Sequence, residues 1–242
     1  MADDRIHGDA PTGIDPYSPF VVEEGRRAGS GRPLSLRGYG LALSGLVFLG
    51  FVVMGACANL FSDVRFLMIV LDNYLPLTIG SFVAAIVGIV MMGRARASQS
   101  VVLAGVGYAV FVLSFGFASS TALIGYTGET ISSAFLATAG ITATFACLGV
   151  AFPRIFERIQ GGLLAALLGL IVVEVVMIFM GVDQSWIDFA VIVVFCGFIA
   201  YDFHRAMEDE PTLVNAIFNA CNLFLDIINV FLRVLSIFGR RN

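Results

Sequence analysis

The sequence of 242 residues lacks lysine altogether, and all 14 of its basic residues are arginine. A phosphate-binding loop of the G-x-x-x-x-G-K-[ST] type is therefore excluded, as is a Schiff base to retinal or pyridoxal phosphate. A seven-helix light-driven pump needs such a lysine, so that class is excluded too. Histidine is nearly absent as well. His7 and His204 are the two in the chain, and they cannot form a zinc-binding pair on one helix.

Charge is also scarce, because charged residues make up 13% of the chain against roughly 25% in an average soluble domain. Hydrophobic residues make up 58%, and the mean hydropathy is +0.92. These values exclude a soluble enzyme. A membrane span needs about 20 mostly apolar residues, so the length suits seven spans with short loops. The four cysteines stand apart in apolar runs without a C-x-x-C spacing, which is typical of small buried side chains.

The chain divides into a polar segment and an apolar remainder. Residues 1–37 are rich in acidic residues, arginine and proline and contain no signal-peptide core, which predicts a disordered cytoplasmic tail. Residues 38–239 are predicted to form an all-α polytopic transmembrane domain of seven helices. The predicted spans are 38–61, 70–93, 99–123, 130–152, 161–181, 187–207 and 212–237.

The arginines predict the orientation of these spans. With the tail in the cytoplasm, nine arginines besides Arg5 fall on the inner side, whereas the outer loops hold Arg65 alone. Arg240 and Arg241 then fall outside, which mildly opposes the rule. We expect a multi-pass protein of the cell membrane, a bacterial inner membrane with a cytoplasmic N-terminus. It is expected to be a monomer or weak oligomer in the lipid bilayer, with possible membrane protein partners and no nucleic acid.

Ionisable and amide side chains inside the spans are the candidate functional residues, because such groups are costly in a bilayer. In the last span they recur at intervals of four and three residues, which places them on one face of the helix as a polar stripe. The stripe consists of Asn215, Asn219, Asn222, Asp226, Asn229 and Arg233. Two readings of the stripe stay open. It either bonds to neighbouring helices or lines a hydrophilic ion or proton pathway.

Other polar residues in the spans are less informative. Glu174, in the middle of the fifth span, is either a protonated, hydrogen-bonded side chain or an extra proton or cation site. Asp188 falls near the start of the sixth span and is expected at the membrane interface. His204 and Arg205 are expected to contact lipid phosphates or the inner solvent, and His204 could instead modulate a response to pH.

Two motifs carry a resemblance to a known family. Tyr201-Asp202 closes the sixth span, and residues 223–232 read L-F-L-D-I-I-N-V-F-L in the seventh. Both resemble the signature of the Bax inhibitor family of membrane proteins, approximately Y-D-T-Q and L-Y-L-D-I-I-N-L-F-L. Residues 137–141 in the fourth span look like its T-A-G element. The resemblance covers about residues 38–239, and the sequence departs from it at Phe203-His204, where Thr-Gln is usual.

The resemblance implies a fold of six helices around a central seventh and a pH-sensitive calcium leak, with no enzymatic activity and no cofactor. It implies that Asp202 and Asp226 form a hydrogen-bonded pair that senses pH and that they meet Ca²⁺ transiently. It also implies an arginine at the inner end of the second helix that bonds to the pair, either Arg94 or Arg96. The implied partners are Ca²⁺ and H⁺.

Elementary chemistry agrees with such a pair. Two carboxylates within about 3 Å of each other tend to share one proton, and Ca²⁺ prefers oxygen ligands. The hairpin geometry is less favourable. With a turn centred at Glu208-Asp209-Glu210-Pro211, Asp202 would face position 217, roughly 13 Å short of Asp226 along the helix. For the two aspartates to lie at the same depth in the bundle, the structure therefore requires an extended connection, a later start of the last helix, or a strong tilt of the helices.

Two other functional classes compete with the leak. A non-conducting regulatory protein, which binds a membrane protease or other stress-response partners, predicts a fully packed polar stripe. An intramembrane enzyme is disfavoured, because the G-x-S-G element is missing and no histidine lies deep in a span to activate a serine.

Overall fold

The computed structural model describes residues 33–181 and 185–240, so most of the predicted tail lies outside the described residues. Within them the chain forms eight α-helices and no strand. The helices are α1 (Leu36–Leu60), α2 (Val64–Asp72), α3 (Tyr74–Ser98), α4 (Val101–Ser120), α5 (Gly128–Ala151), α6 (Pro153–Met180), α7 (Ser185–Glu208) and α8 (Leu213–Gly239).

All of these helices except α2 are long and apolar enough to cross a membrane. The prediction of an all-α polytopic membrane protein with seven spans is therefore confirmed. Most boundaries agree within a few residues. The largest difference is at α6, which begins at Pro153 rather than 161, because the polar segment with Arg154 and Arg158 continues the helix beyond the apolar stretch.

Helix α2 was not predicted. Residues 62–72 were expected to form a loop, and that expectation is wrong. Asp63 begins the helix, since its side chain accepts a hydrogen bond from the backbone N–H of Arg65 at 2.8 Å. Val70 is buried, whereas Met68 and Ile69 are about three-fifths exposed. A short helix with an apolar exposed surface between two spans is typical of the membrane interface.

Helix α8 lies at the centre of the bundle. It packs against α1, α3, α4, α5 and α7, and more than half of its residues are buried. The Phe224 ring meets the Phe51 ring of α1 edge-on at 5.1 Å and the Phe111 ring of α4 at 6.0 Å. Helix α6 is peripheral and packs mainly on α7. The last span is therefore the one around which the others are arranged.

Helices α5 and α7 approach each other closely at Gly149. A Cβ atom at this position would lie 2.0 Å from the backbone oxygen of Ala200. A side chain therefore cannot fit without moving one of the two helices. The contact fixes the position of α7 two residues before Asp202.

Candidate functional site

A hydrogen-bonded pair of carboxyl groups joins α7 and α8. Asp202 comes from α7 and Asp226 from the buried face of α8, and a side-chain hydrogen bond links them. An ionised carboxylate can only accept hydrogen bonds, so this bond requires a proton on one of the two groups. Asp226 Oδ2 is buried and has no hydrogen-bond partner among the described residues. The site therefore offers a place for one shared proton, beside an oxygen that has no partner among the described residues.

The two aspartates meet across a non-helical connection between their helices. Asp202 lies six residues before the last residue of α7, and Asp226 lies thirteen residues after the first residue of α8. The difference of seven residues corresponds to about 10 Å of helix. The four residues 209–212 are not helical and can span about 13 Å when extended. This non-helical connection shifts α8 in the direction that pairing at one depth requires, but it is not fully extended, because the Thr212 backbone N–H donates to the Glu210 oxygen at 2.7 Å.

Asp209 anchors this connection to the rest of the bundle. Its carboxylate accepts hydrogen bonds from Arg96 of α3 at 2.5 Å and from Asn219 of α8 at 2.7 Å. The Arg96 guanidinium also lies 5.0 Å from the centre of the Phe218 ring, within cation–π range. Asn219 donates a second bond to the hydroxyl of Tyr39 on α1 at 2.9 Å. Helices α1 and α3 thus hold one end of α8 in place.

The expected arginine partner of the carboxyl pair is not found in this conformation. Arg96 bonds to Asp209 instead, because the connection places that carboxylate within its reach. Arg94 is exposed, and no contact joins it to either aspartate among the described residues. Arg205, one turn further along α7, interacts electrostatically with Asp202. The expected contact with Arg94 or Arg96 is therefore wrong for this structure.

The asparagines of the polar stripe bond mainly to the protein itself. Asn215 and Asn219 are buried, and the Asn215 amide donates to the backbone oxygen of Glu210 at 3.0 Å. Asn229 donates to the backbone oxygen of Leu225 at 2.7 Å, and Asn222 is half-buried. The Asn219 contact joins α8 to α1, whereas the Asn229 bond stays within α8, so the bonds between helices support the structural reading only near the start of the stripe.

An apolar cavity of about 940 Å³ lies between α1 and α5. It reaches α7 and α8 at residues that flank the aspartates by one turn or less: Ile199, Phe203, Leu223 and Ile227. None of the described residues that line it is charged. The exposed rings of Phe48 and Phe135 line the cavity, as expected if the cavity faces lipid. It therefore provides no charged path to the carboxyl pair.

Comparison with known proteins gives the family. Residues 34–242 match the family model described as "Inhibitor of apoptosis-promoting Bax1", the Bax inhibitor family. The chain belongs to this family. The resemblance of the two aspartate motifs is thereby confirmed at the level of the family.

The relatives of the chain within the Bax inhibitor family are mostly uncharacterised. An uncharacterised membrane protein of Streptococcus pyogenes is 28% identical over 56% of the chain, and the chain spans 62% of that relative's length. An uncharacterised protein of Caulobacter vibrioides is 29% identical over 84% of the chain and 89% of its own length. Inner membrane protein YbhL of Escherichia coli is 30% identical over 52% of the chain and 58% of its own length.

An ion cluster at the opposite end of α8 was missed from the sequence of this Bax inhibitor family member. Arg233 binds Glu174 of α6 through both nitrogens of its guanidinium, at 2.7 and 2.9 Å. One of these nitrogens also donates to Asp188 of α7 at 3.0 Å. Asp188 accepts further bonds from Ser236 at 3.1 Å and from Arg240. The cluster joins α6, α7 and α8.

The cluster corrects two expectations. Asp188 was expected at the interface, but its side chain is only 2% exposed, because Arg233 and Arg240 both neutralise it. The sequence predicts for Glu174 either a protonated, hydrogen-bonded side chain or an extra proton or cation site, whereas the structure pairs it with Arg233 through two hydrogen bonds. Arg233 therefore belongs to this cluster rather than to a path shared with Asp226.

His204 also has a different environment from the one expected. Its residue is 9% exposed, and its Nε2 atom lies 3.3 Å from Glu157 Oε1 of α6 and 3.3 Å from Glu208 Oε2. The histidine therefore contacts two carboxylates of the protein, although it was expected to contact lipid or solvent. The i, i+4 spacing of His204 and Glu208 was visible in the sequence, but Glu157 joins them only through the packing of α6 on α7.

Proposed function

We propose that this Bax inhibitor family protein is a pH-sensitive leak channel for cations, Ca²⁺ in particular, gated by Asp202 and Asp226. The observation that carries the proposal is the hydrogen bond between these two carboxyl groups across α7 and α8. Both groups come from motifs that resemble those of the family. The bond links the central helix to a surrounding one, so its loss would release the contact that closes the bundle.

The shared proton explains how pH would act. Below the pH range in which the pair titrates, one proton is present and the bond forms. Above that range both groups are negative, and two like charges in a poorly hydrated site repel each other. Among the described residues, Arg205 is the cation whose charge acts on Asp202, and Arg96 is held by Asp209. Deprotonation is thus poorly compensated and separates α7 from α8.

Calcium suits the groups that such a separation would uncover. Ca²⁺ binds six to eight oxygen atoms, including carboxylates and amide carbonyls. Asp202 and Asp226 supply carboxylates for transient contacts, and Asn222 and Asn229 lie one turn away on the same stripe. In this proposal the N-terminal segment is cytoplasmic, because of the arginine distribution, and the membrane is a bacterial inner membrane.

Calcium flux into liposomes tests the proposal. The wild-type protein, reconstituted with a calcium dye inside, is expected to show a flux that changes with pH. Asp202→Asn keeps a hydrogen bond to Asp226 without a shared proton, because an amide donates to an ionised carboxylate. We expect its flux to stay at the wild-type low-pH level across the whole range.

Two outcomes would contradict the proposal. One is the absence of calcium flux from wild-type liposomes at every pH, with the protein shown to be folded by its thermal transition. The other is an unchanged pH profile in Asp202→Asn. Glu210→Gln serves as the matched control, because the Glu210 side chain is exposed in the same connection and is expected to leave the profile unchanged.

A second candidate function is a non-conducting regulator that binds a membrane protease or other stress-response partners. The specific observation in its favour is the packing of the polar stripe, where the amides of Asn215, Asn219 and Asn229 all bond to the protein. Partner capture from membranes that survives replacement of both aspartates, together with absent flux, would support it.

A further inference from the structure

We infer that Glu157, His204 and Glu208 form a binding site for a divalent transition-metal ion, for which Zn²⁺ is the natural probe. Their ligand atoms lie within 4.8 Å of one another. His204 and Glu208 are four residues apart in the last turns of α7 and therefore share a face of that helix. Glu157 belongs to the first turns of α6. The site lies at the same end of the bundle as the connection 209–212.

The distances fit a shared ion better than direct ion pairs. His204 Nε2 lies 3.3 Å from each carboxylate oxygen, whereas a charged N–H···O bond is usually about 2.7–2.9 Å. Zinc bonds to nitrogen and oxygen of about 2.0–2.1 Å in a tetrahedron separate neighbouring ligand atoms by about 3.3–3.4 Å. Both observed separations therefore agree with two edges of a zinc coordination tetrahedron. Only the gap between the two carboxylates has to close.

The charge balance points the same way. Two carboxylates converge on one imidazole, whose single positive charge when protonated leaves the group negative. A divalent ion bound to neutral imidazole would balance both carboxylates.

The ligand types select the class of ion. Imidazole with carboxylates suits Zn²⁺ and its first-row neighbours, whereas Ca²⁺ requires more oxygen ligands than three side chains supply. The Glu157 and Glu208 side chains are 51% and 65% exposed, so an ion can enter and a water molecule can take the fourth position. The His204 side chain is 11% exposed and is held by its packing. The site therefore combines one fixed ligand with two that can adjust.

A bound ion would tie the start of α6 to the end of α7 beside the carboxyl pair. His204 is two residues from Asp202, so the ion would resist movement of α7 away from its neighbours. Metal binding itself does not depend on the proposed leak, whereas an effect on gating rests on that function. In such a case Zn²⁺ would lower the calcium flux of the wild-type protein and leave Glu208→Gln unaffected.

Calorimetric titration of the purified full-length protein with ZnCl₂ tests the site. We expect one ion per chain in the micromolar range and a rise in the thermal transition that EDTA reverses. Glu157→Gln and Glu208→Gln change exposed side chains that do not threaten folding, and each should weaken Zn²⁺ binding by at least about tenfold. His204→Gln should remove it. Glu210→Gln, which changes an exposed glutamate outside the cluster, should bind as wild type does.

The result separates this inference from the proposed leak. Zinc binding that these variants abolish would support the site even if liposomes show no calcium flux. Absence of zinc binding by the wild-type protein, or equal binding by Glu208→Gln and Glu210→Gln, would overturn the site without affecting the leak.

Discussion

The ion cluster of Glu174, Arg233 and Asp188 should be a principal source of stability, and Arg233→Met measures it. The change removes three charged hydrogen bonds, of 2.7, 2.9 and 3.0 Å, and leaves Glu174 without its arginine. Removal of one partner from a buried ion pair costs about 3–5 kcal/mol. Because the Arg233 and Glu174 side chains are 25% and 22% exposed, we expect the lower figure, about 3 kcal/mol.

A double substitution separates the ion pair from the charge left behind. Arg233→Met with Glu174→Met replaces both partners by apolar side chains, which is often nearly neutral for a buried pair. Asp188 still loses one bond but keeps Ser236 and Arg240. We therefore expect the double variant to be less stable than wild type by about 1 kcal/mol. It should be more stable than Arg233→Met alone.

Equilibrium unfolding in mixed micelles with sodium dodecyl sulfate is the assay, followed by fluorescence. Trp186 is the one tryptophan of the chain and lies two residues before Asp188, so it reports on this cluster. Arg65→Met is the matched control, because Arg65 is exposed on α2 and its loss should cost less than about 0.5 kcal/mol. The reasoning is refuted if Arg233→Met unfolds as wild type does, or if the double variant is less stable than the single one.

Two further predictions use the same unfolding assay. Gly149→Ala places a methyl group against the Ala200 backbone oxygen and should cost about 1–3 kcal/mol, whereas Gly140→Ala, on the same helix with no atom within 4 Å, should cost nothing. Equal stability of the two variants would contradict the close approach of α5 and α7. Tyr39→Phe removes the hydroxyl that accepts from Asn219 and should cost about 1 kcal/mol, whereas Tyr74→Phe, at an exposed ring, should have no effect. A Tyr39→Phe variant as stable as wild type would show that this bond adds nothing to the fold.

The seven spans were predictable because each long apolar stretch can satisfy its backbone in a bilayer only as a helix. Helix α2 was not predictable by that criterion. Its nine residues are too short to span, and its start depends on a local bond from Asp63 to the Arg65 backbone. The sequence therefore predicted the seven membrane-spanning helices. It did not predict α2, whose start depends on a local capping hydrogen bond.

The pairing of charged side chains was harder to predict, because it depends on the axial offset between neighbouring helices. Spacing correctly placed Asp226 and Arg233 on one stripe, but their partners come from three different places: Asp202, Glu174 and Asp188. One signal was available. Glu174 lies six residues before the end of α6, and Arg233 lies six before the end of α8, so two opposite charges share one depth. Asp209 lies in the connection between α7 and α8, and its carboxylate accepts the hydrogen bond from Arg96.

The central position of α8 has a consequence for biosynthesis. The six other spans precede it in the chain, so they enter the bilayer before the helix on which most of them pack has been made. Until α8 arrives, the small-residue and aromatic surfaces around Gly50 and Phe111 face lipid or a provisional neighbour. Asp226 therefore reaches its place beside Asp202 only after α7 has already entered the bilayer.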